Sequence, residues 1–180
     1  MARHLLTQPL PEDWQEVTRS VRQHPLLHPG QIDLGTVVGV PFGQSSASAL
    51  RELMNDSAAA AIRLTPWRSL LLEGVKALQT KGFILSPKQN LGHANACSGA
   101  PACQAATVET RKFAQILSAK TAKSLHVSGC AKGCAFPKTA EITITGRDGR
   151  YDLILNGAPW DVPHTLALTQ NQLTKEIERL

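Results

Sequence analysis

The cysteine spacing constrains this chain of 180 residues more than any other feature: Cys97-x5-Cys103, then 26 residues, then Cys130-x3-Cys134. The chain has no other cysteine. Both pairs lie among small residues, in ACSGAPAC and SGCAKGCAFP. Such backbone can wrap closely around a compact inorganic centre and leaves amide N–H groups free to point at sulfur. A [4Fe-4S] cluster bound through four thiolates suits that chemistry. Structural zinc also takes four cysteines, but its ligands typically stand about two to four residues apart, which fits the x5 loop poorly. Two disulfides are disfavoured, because MARHLLTQPLPEDW is no secretory signal and the expected location is a reducing cytoplasm. Unrelated buried thiols would not concentrate in two Gly-rich loops. Spacing alone ranks iron–sulfur first and leaves zinc open.

The charge is concentrated around the cysteines. Between positions 74 and 140 nine basic residues face Glu109 as the single acid, although the whole chain carries only +5. A basic field around thiolates suits an anionic cofactor or a polycarboxylate. Nucleic acid is excluded as the main partner, because the region lacks the interleaved aromatics that single strands stack on. No apolar run reaches the ~20 residues of a membrane span, since Arg63, Arg68 and Glu73 interrupt the best stretch.

The pattern predicts an α+β chain in three parts. Residues 1–30 form a proline-punctuated leading segment with a short helix between Pro11 and His24. Residues 31–87 read as a ferredoxin-like half-domain in β-α-β-β-α order. Its strands are 34–43, 60–64 and 69–74. Its helices are one capped by Ser46 or Ser48, with Leu50, Leu53 and Met54 on one face, and one over 75–82, followed by extended structure at 83–85. Residues 88–180 read as an α/β cluster-binding unit. It has a helix from Ala106 to Lys120, a strand at 125–129 and a hairpin turning at Asp148-Gly149. A closing helix is expected over 165–180.

With ACSGAPAC (96–103) and LHVSGCAKGCAFP (125–137), the double cysteine motif resembles the sulfite and nitrite reductase superfamily. Together with GRDGRYDLILNG (146–157), VGVPFG (38–43) and IRLTPWRSLLLEGV (62–75), these stretches resemble the precorrin-3B synthase family of that superfamily. The resemblance implies one half of a pseudo-dimer, with Cys97, Cys103, Cys130 and Cys134 holding a [4Fe-4S] cluster against a tetrapyrrole. It also implies a monooxygenase that hydroxylates precorrin-3A at C-20 with γ-lactone formation, using O2, an NADH-linked donor reductase and a mononuclear iron. No 2-His-1-carboxylate arrangement is legible for that iron.

Arg63 and Arg68 match macrocycle-facing positions, where a guanidinium can pair with carboxylate arms. Lys132 stands where the reductases commonly carry Asn beside sirohaem. Trp67 reads as a packing residue and His93 as a loop histidine. Only one ferredoxin-like unit and one α/β unit are legible, whereas the resemblance implies a further N-terminal half, so a separate chain, a homodimer or a truncated remnant is expected. The alternatives are a sirohaem-dependent sulfite or nitrite reductase fragment and a non-catalytic electron-transfer module.

Overall fold

A computed structural model describes residues 26–89 and 91–180; the helix expected between Pro11 and His24 lies outside them. The first sheet contains β1 (Gly30–Ile32), β2 (Gly35–Gly39), β3 (Ile62–Leu64) and β4 (Ser69–Glu73). Its order is β1-β2-β4-β3, antiparallel throughout. Between β2 and β3 lies helix α1 (Ala47–Ser57), capped by the Ser46 side chain, which accepts the Ala49 N–H at 3.1 Å. Leu53 alone of the expected apolar face is buried, and it joins Val38, Leu70, Leu72, Val75 and Phe83 in one core. Leu50 and Met54 remain exposed.

The helix expected over 75–82 does not form, so this unit keeps only the β-α-β-β part of a ferredoxin-like order. Both ends of that segment are fastened to the sheet. Thr36 Oγ1 donates to the Val75 carbonyl at 2.7 Å, and Gly39 and Ile84 exchange two backbone hydrogen bonds. Eight residues held at both ends cannot repay the cost of helix nucleation. The extended structure expected at 83–85 is this single bridge.

The second sheet contains β5 (Ala94–Ala96), β6 (Leu125–Ser128), β7 (Ala140–Arg147), β8 (Arg150–Gly157) and β9 (Thr165–Leu168), in that spatial order. Strands β5, β6 and β7 run parallel, and β8 and β9 are antiparallel additions. The β7–β8 turn is the expected one, with Asp148 and Gly149 at φ 47° and 74°. Helix α2 (Arg111–Ser118) covers one face through Phe113, Ala114 and Leu117, which pack on Ala96, Leu125, Val127, Ile142, Ile144 and Leu153.

Helix α2 starts five residues later than expected because 106–110 serve the first cysteine loop. Ala106 N–H donates to the Cys103 carbonyl, Val108 O accepts from Ala100, and Thr110 Oγ1 donates to the Cys97 carbonyl at 2.6 Å. The expected closing helix is likewise shorter. Residues 165–168 form β9, held where Asp152 Oδ1 accepts the N–H of left-handed Ala167, and α3 (Gln170–Ile177) follows behind a Thr169–Gln172 capping box. Among the described residues no helix is long and apolar enough to cross a membrane.

Contacts between the described residues join the two sheets. Arg68 Nη2 donates to the Ala135 carbonyl at 2.8 Å, Arg111 bonds Gln44, and Phe42 packs against the second core.

Candidate metal centre and adjoining cleft

Cys97 follows β5 and Cys130 lies two residues beyond β6. The two strands are parallel neighbours with Ala96 opposite Val127, so both cysteine loops leave the same end of the sheet. That end, where parallel strands finish, is where α/β sheets place ligands.

The loops touch. Gly129 N–H points at Cys97 Sγ at 3.1 Å. A methyl group at Gly129 would stand 2.6 Å from Ala106 Cβ and 3.5 Å from Cys97 Sγ, so only glycine allows this approach. The four cysteines are free thiols. Cys97, Cys103 and Cys130 are half-buried, and Cys134 is exposed. No three His, Cys, Asp or Glu side chains among the described residues are already gathered to hold a metal ion. What the fold brings together is the backbone of the two loops.

The sheet face opposite α2 explains how the second loop is held. Along it lie His126, Ser128, Thr143, Thr145 and Asp152, all buried. Ser128 Oγ donates to the Cys130 carbonyl at 2.7 Å. Thr143 Oγ1 donates to Gly157 O at 2.7 Å and Thr145 Oγ1 to Pro159 O at 3.2 Å. Asp152 accepts from Ala167 and meets Arg147 Nε at 3.1 Å as an ion pair outside good hydrogen-bond alignment. The row therefore fixes the start of the Cys130–Cys134 loop and the loop after β8.

His126 has no hydrogen-bond partner on either nitrogen, and the Phe136 ring meets it edge-on at 5.9 Å. Burial, and secondarily the Arg68 charge, lower its pKa to about 4. This row escaped the sequence reading, although the alternation of polar and apolar residues in LHVS and EITIT signals a strand pair with one polar face.

The two arginines separate. Arg63, on edge strand β3, is exposed and ion-paired with Glu73. Arg68 sits in the turn before β4 with φ 54° and reaches the second cysteine loop at Ala135. It lines a cleft of about 700 Å³ between the two sheets, together with Trp67, Asn95, Phe136 and Lys138. Thr65 Oγ1 shapes that turn by accepting the Trp67 N–H at 3.3 Å and bonding Ser69. Lys132 is exposed on the loop between Cys130 and Cys134. His93 lies away from the cysteines and lines a separate cavity with Lys88 and the C-terminal end of α2.

The chain is similar in sequence and fold to known proteins. No family model matches the chain. In an alignment of 153 positions that covers 74% of this chain, the chain is 31% identical to the precorrin-3B synthase of a Sinorhizobium species and spans 33% of that protein. It is 30% identical over 120 residues to the sulfite reductase [NADPH] hemoprotein beta-component of Xylella fastidiosa, covering 53% of this chain and 21% of that one. The structure of the Mycobacterium tuberculosis NirA protein matches with a TM-score of 0.58 at 24% identity, over 87% of this chain and 37% of NirA.

The α+β fold and these similarities define the class: the chain belongs to the sulfite/nitrite reductase-like superfamily. Within it, the particular likeness is to precorrin-3B synthase, of which the chain spans about a third.

Proposed function

We propose that the chain is the cluster-bearing C-terminal part of a precorrin-3B synthase-like monooxygenase, acting on precorrin-3A at C-20 with closure of a γ-lactone. In this reading Cys97, Cys103, Cys130 and Cys134 hold a [4Fe-4S] cluster. The observation that carries it is the meeting of the two cysteine loops, with Gly129 N–H on Cys97 Sγ at 3.1 Å. An amide aimed at sulfur offsets thiolate charge, the contact that iron–sulfur sites use to set their potential. The reading also draws on the likeness to precorrin-3B synthase. When bound, such a cluster supplies one-electron transfer to the site.

The chain's own residues bind and orient the substrate. Arg68 and Lys132 take carboxylate arms beside the second cysteine loop, where a guanidinium gives paired hydrogen bonds and an ammonium a point charge. Arg63 contributes once its Glu73 partner is exchanged for a substrate carboxylate, a surface exchange of small cost. Turnover draws on the N-terminal half that the family resemblance implies, on O2 and on an NADH-linked donor.

Anaerobic reconstitution tests the reading. It should yield about four irons and four sulfides per chain. Cys97→Ser should lose the brown chromophore. Stoichiometric zinc without labile sulfide would overturn it. The likeness to sulfite reductase hemoproteins favours a second reading, a sirohaem-binding reductase portion. Pigment extraction separates the two, since retained sirohaem selects the reductase.

A further inference from the structure

Trp160 is 55% exposed, yet the backbone before it is tied to the sheet and to Asp161. Gly157, Ala158 and Pro159 are buried. Thr143 and Thr145 hold the Gly157 and Pro159 carbonyls from the sheet, and Asp161 Oδ2 accepts the Ala158 N–H at 2.7 Å. The edge of the Trp160 ring presses on the second cysteine loop. A methyl at Gly133, which takes φ 64°, would stand 3.0 Å from Trp160 Cζ3 and 3.1 Å from Pro159 Cγ. A large aromatic left half in solvent on a rigid loop, against the residue next to exposed Cys134, is not explained by core packing.

The surroundings indicate what covers it. Lys132 is exposed on the adjoining loop. Asp161, the acid next to Trp160, is already engaged with Ala158 N–H. The face is therefore an apolar plate with one cation, Lys132, on the adjoining loop, complementary to a flat ring system edged with carboxylates.

We propose that Trp160 is a binding residue of this site, an aromatic wall on which a planar polycarboxylate macrocycle rests beside Cys134. The inference rests on the reading given under Proposed function and adds to it the surface that orients the ring. Gly133 is part of the device, because any side chain there would push the indole off the cysteine loop. Losing the flat stacking surface of the indole should weaken binding about tenfold.

The test uses uroporphyrin III, a flat octacarboxylate, titrated by absorbance into the reconstituted full chain and its Trp160→Ala and Trp160→Phe variants. Iron and sulfide are counted in each. The expected result is equal cluster content throughout, about tenfold weaker porphyrin binding for Trp160→Ala and recovery of most of that loss by Trp160→Phe. In parallel, the indole N–H resonance of Trp160, assigned by its disappearance in Trp160→Phe, should shift on porphyrin addition. Equal affinity in wild type and Trp160→Ala, or no porphyrin binding by a cluster-loaded chain, overturns the inference. So does a Trp160-dependent dimer, detected by light scattering, with unchanged porphyrin affinity, which would assign the face to a second copy. Absence of any cluster in all three proteins would instead defeat the parent reading.

Discussion

Lowering the pH from 7 to 5 should destabilise the fold through one residue, His126. Its imidazole is fully buried on β6, between Asn95 of β5 and Thr143 of β7 in the strand register, with Phe136 against its ring. Burial first, and the Arg68 charge second, hold its pKa at about 4 against the ordinary 6.5. A folded value below the unfolded one means that the unfolded chain takes up the proton first. The stability is therefore fully present above pH 6.5, falls as the pH drops through the interval and levels off near pH 4. From pH 7 to 5 the linkage amounts to about 2 kcal/mol, and the whole interval to about 3 kcal/mol. The Glu141 carboxyl, held below its usual range by hydrogen bonds from Ser124, titrates in a lower window and leaves the pH 7 to 5 comparison to His126. Urea unfolding of the thiol-reduced chain at both pH values, for wild type and His126→Leu, reads the effect. The wild type should lose about 2 kcal/mol more than the variant. An equal loss in both proteins, or an imidazole NMR titration centred near 6.5, would refute the reasoning.

Two further substitutions test the loops. Gly129→Ala places a methyl 2.6 Å from Ala106 Cβ, so it should cost about 1–3 kcal/mol in urea unfolding and lower the cluster yield; an unchanged midpoint would contradict the close approach of the two loops. Arg68→Ala should weaken uroporphyrin III binding more than Arg63→Ala does, since Arg68 reaches the second cysteine loop while Arg63 is paired with Glu73, and the reverse ranking would move the ligand toward β3.

Patterns of period two were legible in the sequence, while segments answering to distant partners were not. The β7–β8 hairpin follows from alternation and from Asp148-Gly149, and α1 from its Ser46 cap, because each is decided within a few residues. The 75–82 segment reads as helical by composition, but Thr36 and Gly39 from β2 hold its two flanks and keep it irregular. Residues 106–110 carry helix-compatible side chains but spend their backbone on the Cys97–Cys103 loop. In the tail, leucines at near-helical spacing hid β9, whose place is set by Asp152, fifteen residues from Ala167. At the site the cysteine spacing was plain from the start. The unequal placement of Arg63 and Arg68 was not, because it depends on a Glu73 partner across one strand pair and on a left-handed turn at Arg68.

The second sheet divides its work between its two faces, and this division accounts for the composition of the site. The face toward α2 is apolar and supplies the cohesion. The other face is a buried row of hydroxyls, a carboxylate and an imidazole, in which Ser128, Thr143 and Thr145 each donate to a loop carbonyl and Asp152 accepts from the backbone of β9. The Ser128 bond removes a choice from a cysteine loop that has few side chains with which to pack itself, and the Thr143 and Thr145 bonds do the same for the segment that leads to Trp160. Gly129 and Gly133 can then be kept free for close approach, one to Cys97 Sγ and the other to Trp160, without leaving the loops undefined. A loop made only of small residues and anchored only by its ends would not present a thiolate in a fixed direction. Support from beneath the sheet lets the same loop be both small enough to surround a compact centre and rigid enough to hold it. His126 is the one member of the row without a partner on either nitrogen, which makes it the weakest point of that support and the first to respond to acid.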